Sequence, residues 1–69
     1  MSVLAGLTPR EDTILRLEAK GQSNAEIGRS LCLAESSVKS HVGHLLGKLG
    51  APDRVHLVIF AYDHGLTWQ

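Results

Sequence analysis

The chain has 69 residues, 43% hydrophobic and 20% charged, and its seven Lys and Arg balance its seven Asp and Glu. This composition is typical of one small globular domain, and so thin a core leaves little room for an enzymatic pocket, so we expect no enzyme. The single cysteine excludes an intrachain disulfide and a cysteine-rich zinc site. No apolar run is long enough to cross a membrane. We therefore expect a cytoplasmic protein without a cofactor.

The N-terminal third predicts a short tail and one helix. Residues 1–6 are small and apolar, and we expect a linker or a disordered N-terminus there, followed by a single domain over residues 7–69. Thr8 and Glu11 have the spacing of a capping box around a proline at the first helical position. The first helix is predicted to end at Gly21.

A second helix and a tight turn follow. Ser23 and Glu26 form another capping box. Gly28 is a poor helix former, which suggests that another helix approaches closely at this position. Residues 32–34 are too few for anything but a turn.

The third helix is predicted over residues 35–49, with Gly50 as its end. Its apolar residues recur at helical spacing and form one stripe. We expect Val38, Val42, Leu45 and Leu49 to be buried against Ile14, Leu15, Ile27 and Leu31.

The fourth helix is predicted from Arg54 to His64, capped by Asp53 and ended by Gly65. It has more apolar residues than one buried face needs. One face has Val55, Val58, Ile59 and Tyr62, and another has Leu57, Phe60 and Ala61. We expect one face to dock on the third helix and the surplus to meet a second copy of the chain. The fold class is therefore all-α, with four short helices.

The second and third helices form a helix-turn-helix. Apolar residues fill the angle between them, and a small residue allows contact. The free side of the third helix is polar, has short side chains and contains almost no acidic residue. It contains Ser36, Ser40, Gly43, His44 and Gly47, flanked by Ser37 and Lys39. A surface of this kind fits the major groove of double-stranded DNA.

The segments LTPRE, SNAEIG, AESSVKSHV, LLGKLG and DRV stand in the order and spacing of a known family. From Leu7 to about Leu66 the chain resembles the LuxR/NarL-type helix-turn-helix domain of bacterial transcription factors. The G-A-P-D-R-V segment is typical of members that are C-terminal effector domains of two-component response regulators. The resemblance implies sequence-specific DNA binding, an upstream receiver or sensor domain, and a homodimer through the fourth helix, at least on DNA.

The resemblance also implies roles for single residues. Lys39 and Ser40 are expected to read bases, and Ser36 and Ser37 to contact phosphates or bases. Gly43 stands where the family often has a basic or polar residue, and His44 is the expected substitute. Dimerisation is assigned to Val55, Val58, Ile59 and Tyr62.

Three positions leave alternatives or depart from the family. Arg54 is expected to contact a phosphate, or else to pair with an acid. Lys48 is expected to compensate the dipole at the end of the third helix, or else to contact DNA. Glu18 replaces an aliphatic residue, which suggests a partly exposed edge or a contact with another domain.

Two further hypotheses concern the histidines and the overall function. His41 and His44 are three residues apart on one helix, but no third ligand stands at metal-binding spacing, so we expect no metal. The alternative to DNA binding is a protein–protein interaction or anti-activator module that reuses the same fold. The neutral net charge and the absence of a side chain at Gly43 favour this alternative, whereas Lys39 and the serines favour DNA binding.

Overall fold

The computed structural model describes residues 6–65, and this part of the chain contains four helices and no strand. They are α1 (Pro9–Ala19), α2 (Asn24–Leu31), α3 (Glu35–Leu49) and α4 (Arg54–Asp63). The all-α prediction and the central helix-turn-helix are confirmed. The expected N-terminal linker lies outside the described residues except for Gly6.

Both predicted capping boxes are formed. The Thr8 backbone N–H donates to Glu11 Oε1 at 2.9 Å, and the Glu11 N–H donates to Thr8 Oγ1 at 3.1 Å. The Ser23 N–H donates to Glu26 Oε1 at 2.8 Å, and the Glu26 N–H donates to Ser23 Oγ at 3.2 Å. These bonds use backbone donors that would otherwise lack a partner at a helix start, so they define where α1 and α2 begin.

The start of α4 and the end of α3 also follow local signals, whereas the start of α3 does not. Asp53 caps α4 by accepting a hydrogen bond from the His56 N–H at 3.1 Å. The N-cap of α3 is Ala34, which makes no side-chain capping bond. Gly50 ends α3 in the left-handed conformation with φ 64°, where a glycine fits without strain.

The core lies where α1 packs against α3 and α4, and α2 packs against α3. The expectation that α4 docks on α3 is wrong, since its main neighbour is α1. Leu57 and Ala61 are its buried residues, and Phe60 is half-buried. Leu31 and Leu49, expected in the core, are only partly buried against it. The fully buried apolar side chains are Ile14, Leu15, Ile27, Val38, Leu45, Leu57 and Ala61.

Gly28 marks the closest approach in the helix-turn-helix. A Cβ at this position would lie 2.7 Å from the carbonyl oxygen of Leu33 and 3.7 Å from a methyl of Val38. The Leu33 N–H also donates to the Gly28 carbonyl at 2.8 Å. The predicted close approach is confirmed, but its nearest element is the turn rather than a helix. Glycine thus lets the turn bring α3 against α2.

Candidate nucleic-acid interface

The outer face of α3 is turned away from the core. Val38, Val42 and Leu45 are buried against the rest of the domain. The residues on the opposite side are exposed and are called here the outer face: Ser36, Ser37, Lys39, Ser40, Gly43, His44 and Gly47. The fold therefore gathers on one helix surface every predicted DNA-binding residue except Arg54.

The two glycines of the outer face are surrounded by open space. A Cβ at Gly43 or Gly47 would meet no heavy atom within 4 Å outside the helix's own nearby backbone. Neither glycine is therefore needed for close packing of helices within the described part of the chain. Together with Ser36 and Ser40 they leave the middle of the outer face with only small, uncharged side chains.

Lys39 is the basic residue of the outer face. It is exposed and makes no hydrogen bond or ion pair with another residue in the range 6–65. Three other basic side chains, Arg16, Lys48 and Arg54, are occupied within the fold. Their ion pairs join Arg16 to Asp12 at 3.1 Å, Lys48 to Glu11 at 2.7 Å and Arg54 to Glu18 at 2.7 Å. The charge of Lys39 is thus available for an external anion.

Arg54 lies apart from the outer face, at the start of α4. Its Nε donates to Glu18 Oε1 at 2.7 Å, and its Nη2 donates to the carbonyl oxygen of Gln22. Of the two roles considered from the sequence, pairing with an acid is the one present in this structure. The side chain is still 44% exposed. Contact of Arg54 with DNA stays a prediction.

Glu18 is where sequence reasoning was wrong. It lies at neither an exposed edge nor a free surface, because only 1% of the residue is exposed. Burial raises the pKa of Glu18, and the nearby Arg54 charge acts in the opposite direction. Its second carboxylate oxygen, Oε2, has no hydrogen-bond partner among the described atoms. The pair therefore attaches the start of α4 to α1 through a buried charge.

Lys48 has a role that its position in the last turn of α3 did not predict. Its Nζ donates to Glu11 Oε1 at 2.7 Å and to the carbonyl oxygen of Gly6 at 2.8 Å. Lys48 also lowers the pKa of Glu11, with a smaller contribution from the Thr8 backbone. The end of α3 is thereby tied to the start of α1.

The outward side of α4 is the apolar surface of the described chain. Val55 is 64% exposed, Ile59 49% and Tyr62 60%, and Val58 beside them is half-buried. The Tyr62 hydroxyl donates to the carbonyl oxygen of Ala19 at 3.3 Å. The predicted division of α4 into two apolar faces is confirmed, and the four residues assigned to dimerisation form the outward one. Their dimer contact remains a prediction.

Residues 6–65 contain neither a metal-binding cluster nor a membrane-spanning helix. No group of three His, Cys, Asp or Glu side chains there is arranged to hold a metal ion. None of the four helices has the length and apolar character needed to cross a membrane. Cys32, in the turn before α3, is exposed and has a left-handed backbone with φ 57°.

Two short helices joined by a tight turn, the second with a free polar face, define the class as a helix-turn-helix domain. The family model described as "Bacterial regulatory proteins, luxR family" matches residues 5–61. The chain belongs to this family, which supports a role in DNA-binding transcription regulation.

Curated relatives agree with this assignment. The chain is 47% identical over 60 residues to the response regulator protein VraR of Staphylococcus aureus. The proteins of the same name from Staphylococcus saprophyticus and Staphylococcus epidermidis match to the same extent. The match covers 87% of this chain but 29% of the relatives' length.

Proposed function

We propose that the chain is a sequence-specific DNA-binding domain of a transcription regulator and that α3 enters the major groove. The observation that carries this proposal is the outer face of α3, which is exposed, polar and without an acidic residue. The major groove admits an α-helix, and the short side chains of the outer face allow close approach to base edges. Membership in the luxR family supports the same conclusion.

Within this face, Lys39 is the main base-reading residue. It lies near the start of α3, the part of a recognition helix that contacts bases. Its ammonium group suits the O6 and N7 acceptors of guanine. Ser40 lies beside it as a second base contact, and Ser36 and Ser37 donate to phosphates. Gly43 provides no side chain, so His44 contributes the contact in that turn.

Arg54 contributes a phosphate contact from outside α3. Its bonds to Glu18 and Gln22 use Nε and Nη2 and leave donors on Nη1. The buried carboxylate holds the guanidinium in place, which reduces the entropy lost when a phosphate binds.

We further propose that two copies pair through α4 when bound to DNA. Val55, Val58, Ile59 and Tyr62 form a continuous apolar side of this helix. A two-fold pair contacts itself with the same patch on both copies and presents two recognition helices to two half-sites. Few free cations per copy make a single domain a weak binder, so pairing increases affinity strongly.

The relatives support a proposal about the regulatory setting. Their name, response regulator, supports the proposal that this chain is the effector part of a two-component regulator in the cytoplasm. A receiver or sensor domain upstream would then control it. The domain is proposed to act by binding, without an enzymatic activity of its own.

A second candidate is a protein–protein interaction module without DNA binding. The formal net charge is zero, and three basic side chains are engaged in ion pairs with acids. This leaves fewer cations for phosphates than most nucleic-acid binders have. The two candidates differ in salt dependence, because release of counterions from DNA weakens binding as salt rises.

The test is a mobility-shift titration on duplexes selected from a random library by the wild-type chain. We expect Lys39→Ala to weaken specific binding by about 1–3 kcal/mol, since one base contact is lost. Arg10→Ala is the matched control, because it removes the same charge from an exposed position on α1. Wild-type affinity in Lys39→Ala would contradict the role of Lys39. Failure to select any duplex would favour the protein-interaction module.

A further inference from the structure

His44 differs from the other histidines of the described chain in its surroundings. It is exposed on the outer face of α3 and has no hydrogen bond or ion pair within residues 6–65. The Nδ1 of His56 lies 2.7 Å from Asp53 Oδ1, and that of His64 lies 3.0 Å from the Phe60 carbonyl oxygen. His41, on the same helix, is half-buried. His44 is thus the histidine placed to contact DNA.

The position of His44 along α3 favours a phosphate over a base. It lies nine residues after Glu35, which begins the helix, and this corresponds to about 14 Å along the axis. The first turns of a recognition helix contact base edges, and later turns rise toward the backbone at the edge of the groove. On the helical wheel His44 and Lys39 stand on opposite sides of the small residues of the outer face.

Charged groups on α3 itself leave His44 unpaired. The acidic residue of this helix, Glu35, stands at its first position. Lys48, one turn beyond His44, is bound to Glu11 and Gly6. Lys39 and His41 precede it, and neither forms a hydrogen bond or ion pair with it in the described structure. No group of the helix therefore competes with an external anion for the imidazole.

The helices packed against α3 likewise provide no partner. On α1, Glu11 is engaged by Lys48 and Thr8, and Arg10 is exposed. On α2, Glu26 is engaged in its capping box, and Arg29 is exposed. The other paired charges of α1 are Asp12, Arg16 and Glu18. None of these groups forms a hydrogen bond or ion pair with His44 in the described structure.

We infer that His44 makes DNA affinity sensitive to pH by contacting a backbone phosphate as an imidazolium. This inference rests on the proposed DNA-binding function and adds a regulatory property to it. Histidine is the side chain that ordinarily gains a proton between pH 8 and 5. The chain has a formal charge of zero when its histidines are neutral. One added positive charge on the outer face is therefore a large increase in the charge available to bind phosphates. Affinity therefore rises on acidification.

The experiment measures affinity at about pH 8 and about pH 6 at constant ionic strength. The probes are the selected duplex and an unrelated duplex of the same length. We expect up to about fivefold tighter binding per domain at the lower pH, which is the usual contribution of one exposed charge pair. His44→Gln should lose this change, so that its affinity is the same at both pH values. His56→Gln, which removes a histidine from α4, should retain the change.

Each result decides between the possibilities. Equal tightening on both duplexes supports a phosphate contact, whereas tightening on the selected duplex alone overturns it in favour of a base contact. A pH effect that persists in His44→Gln also overturns the inference. Binding by the wild type that does not depend on pH overturns the inference as well, but it leaves the proposed function intact. Absence of binding at both pH values overturns both. Thermal unfolding of each variant at both pH values verifies that the domain remains folded.

Discussion

Replacing Arg54 by alanine would leave the carboxylate of Glu18 buried without its counter-charge. Glu18 is 1% exposed, and its bond to Arg54 is 2.7 Å long. Removing one partner of a fully buried pair costs about 3–5 kcal/mol. Because 44% of the Arg54 side chain is exposed, water can replace part of the interaction, and we expect about 1–3 kcal/mol for Arg54→Ala. A domain of this length has about 3–10 kcal/mol of total stability.

A second substitution separates loss of the ion pair from loss of Arg54's other contacts. Glu18→Leu removes the buried charge and supplies an aliphatic side chain. We expect this single variant to be as stable as the wild type or more stable, because apolar residues often replace buried ion pairs without loss. Adding Glu18→Leu to Arg54→Ala should restore most of the lost stability. The bond from Arg54 to the Gln22 carbonyl is the part that stays lost.

The pH dependence provides an independent check. Burial raises the pKa of Glu18 in the folded chain. A raised folded-state pKa means that the folded protein binds this proton more tightly, so protonation of Glu18 stabilises the fold as the pH falls. Without Arg54 the ionised carboxylate costs more, so the deficit of Arg54→Ala should shrink between about pH 7 and about pH 5.

Chemical denaturation of the four proteins at both pH values measures these differences, and thermal scans should show a fall of about 4–8 °C per kcal/mol lost. Unfolding of Arg54→Ala at the wild-type midpoint would contradict a stabilising role of the ion pair. Failure of Glu18→Leu to rescue the double variant would show that the buried charge is not the source of the loss.

Three further predictions concern packing and pairing. Leu45→Ala should cost about 2–5 kcal/mol by denaturation, because the side chain is fully buried, and an unchanged midpoint would contradict this core. Gly28→Ala should destabilise the domain by about 1–3 kcal/mol, because its Cβ would meet the Leu33 carbonyl. Gly43→Ala lies in open space and should stabilise the domain by up to about 1 kcal/mol. A change of stability with the same sign in both variants would contradict the close packing at Gly28. Ile59→Asp should reduce the number of chains on a two-half-site duplex in analytical ultracentrifugation, and two chains bound as tightly as in the wild type would exclude this α4 pairing.

The helices were predictable because their signals are local. Each capping box spans four residues, and the ends at Gly21 and Gly50 depend on the backbone of single residues. The free face of α3 follows from helical periodicity alone, so most of the candidate site was also visible in the sequence.

The contacts between helices were not predictable in the same way. Glu18 and Arg54 are 36 residues apart, and Glu11 and Lys48 are 37 apart. Their pairing depends on how α4 and α3 cross α1, and neither spacing nor residue type contains that geometry. The same reason explains why α4 was wrongly expected to dock on α3. The apolar pattern of α4 predicted which side is buried, but it did not predict which helix covers that side.

The small residues of the outer face affect the entropy of any docking event. Lysine or arginine loses up to about 2 kcal/mol of rotamer freedom when it is immobilised, and glycine has no side-chain torsion to lose. Across the middle of this face stand Ser36, Ser40, Gly43 and Gly47, so immobilising α3 against a rigid surface freezes few torsions. The helix is already ordered before contact. A titration by calorimetry should therefore show a smaller unfavourable conformational entropy than for a variant with lysine at position 43.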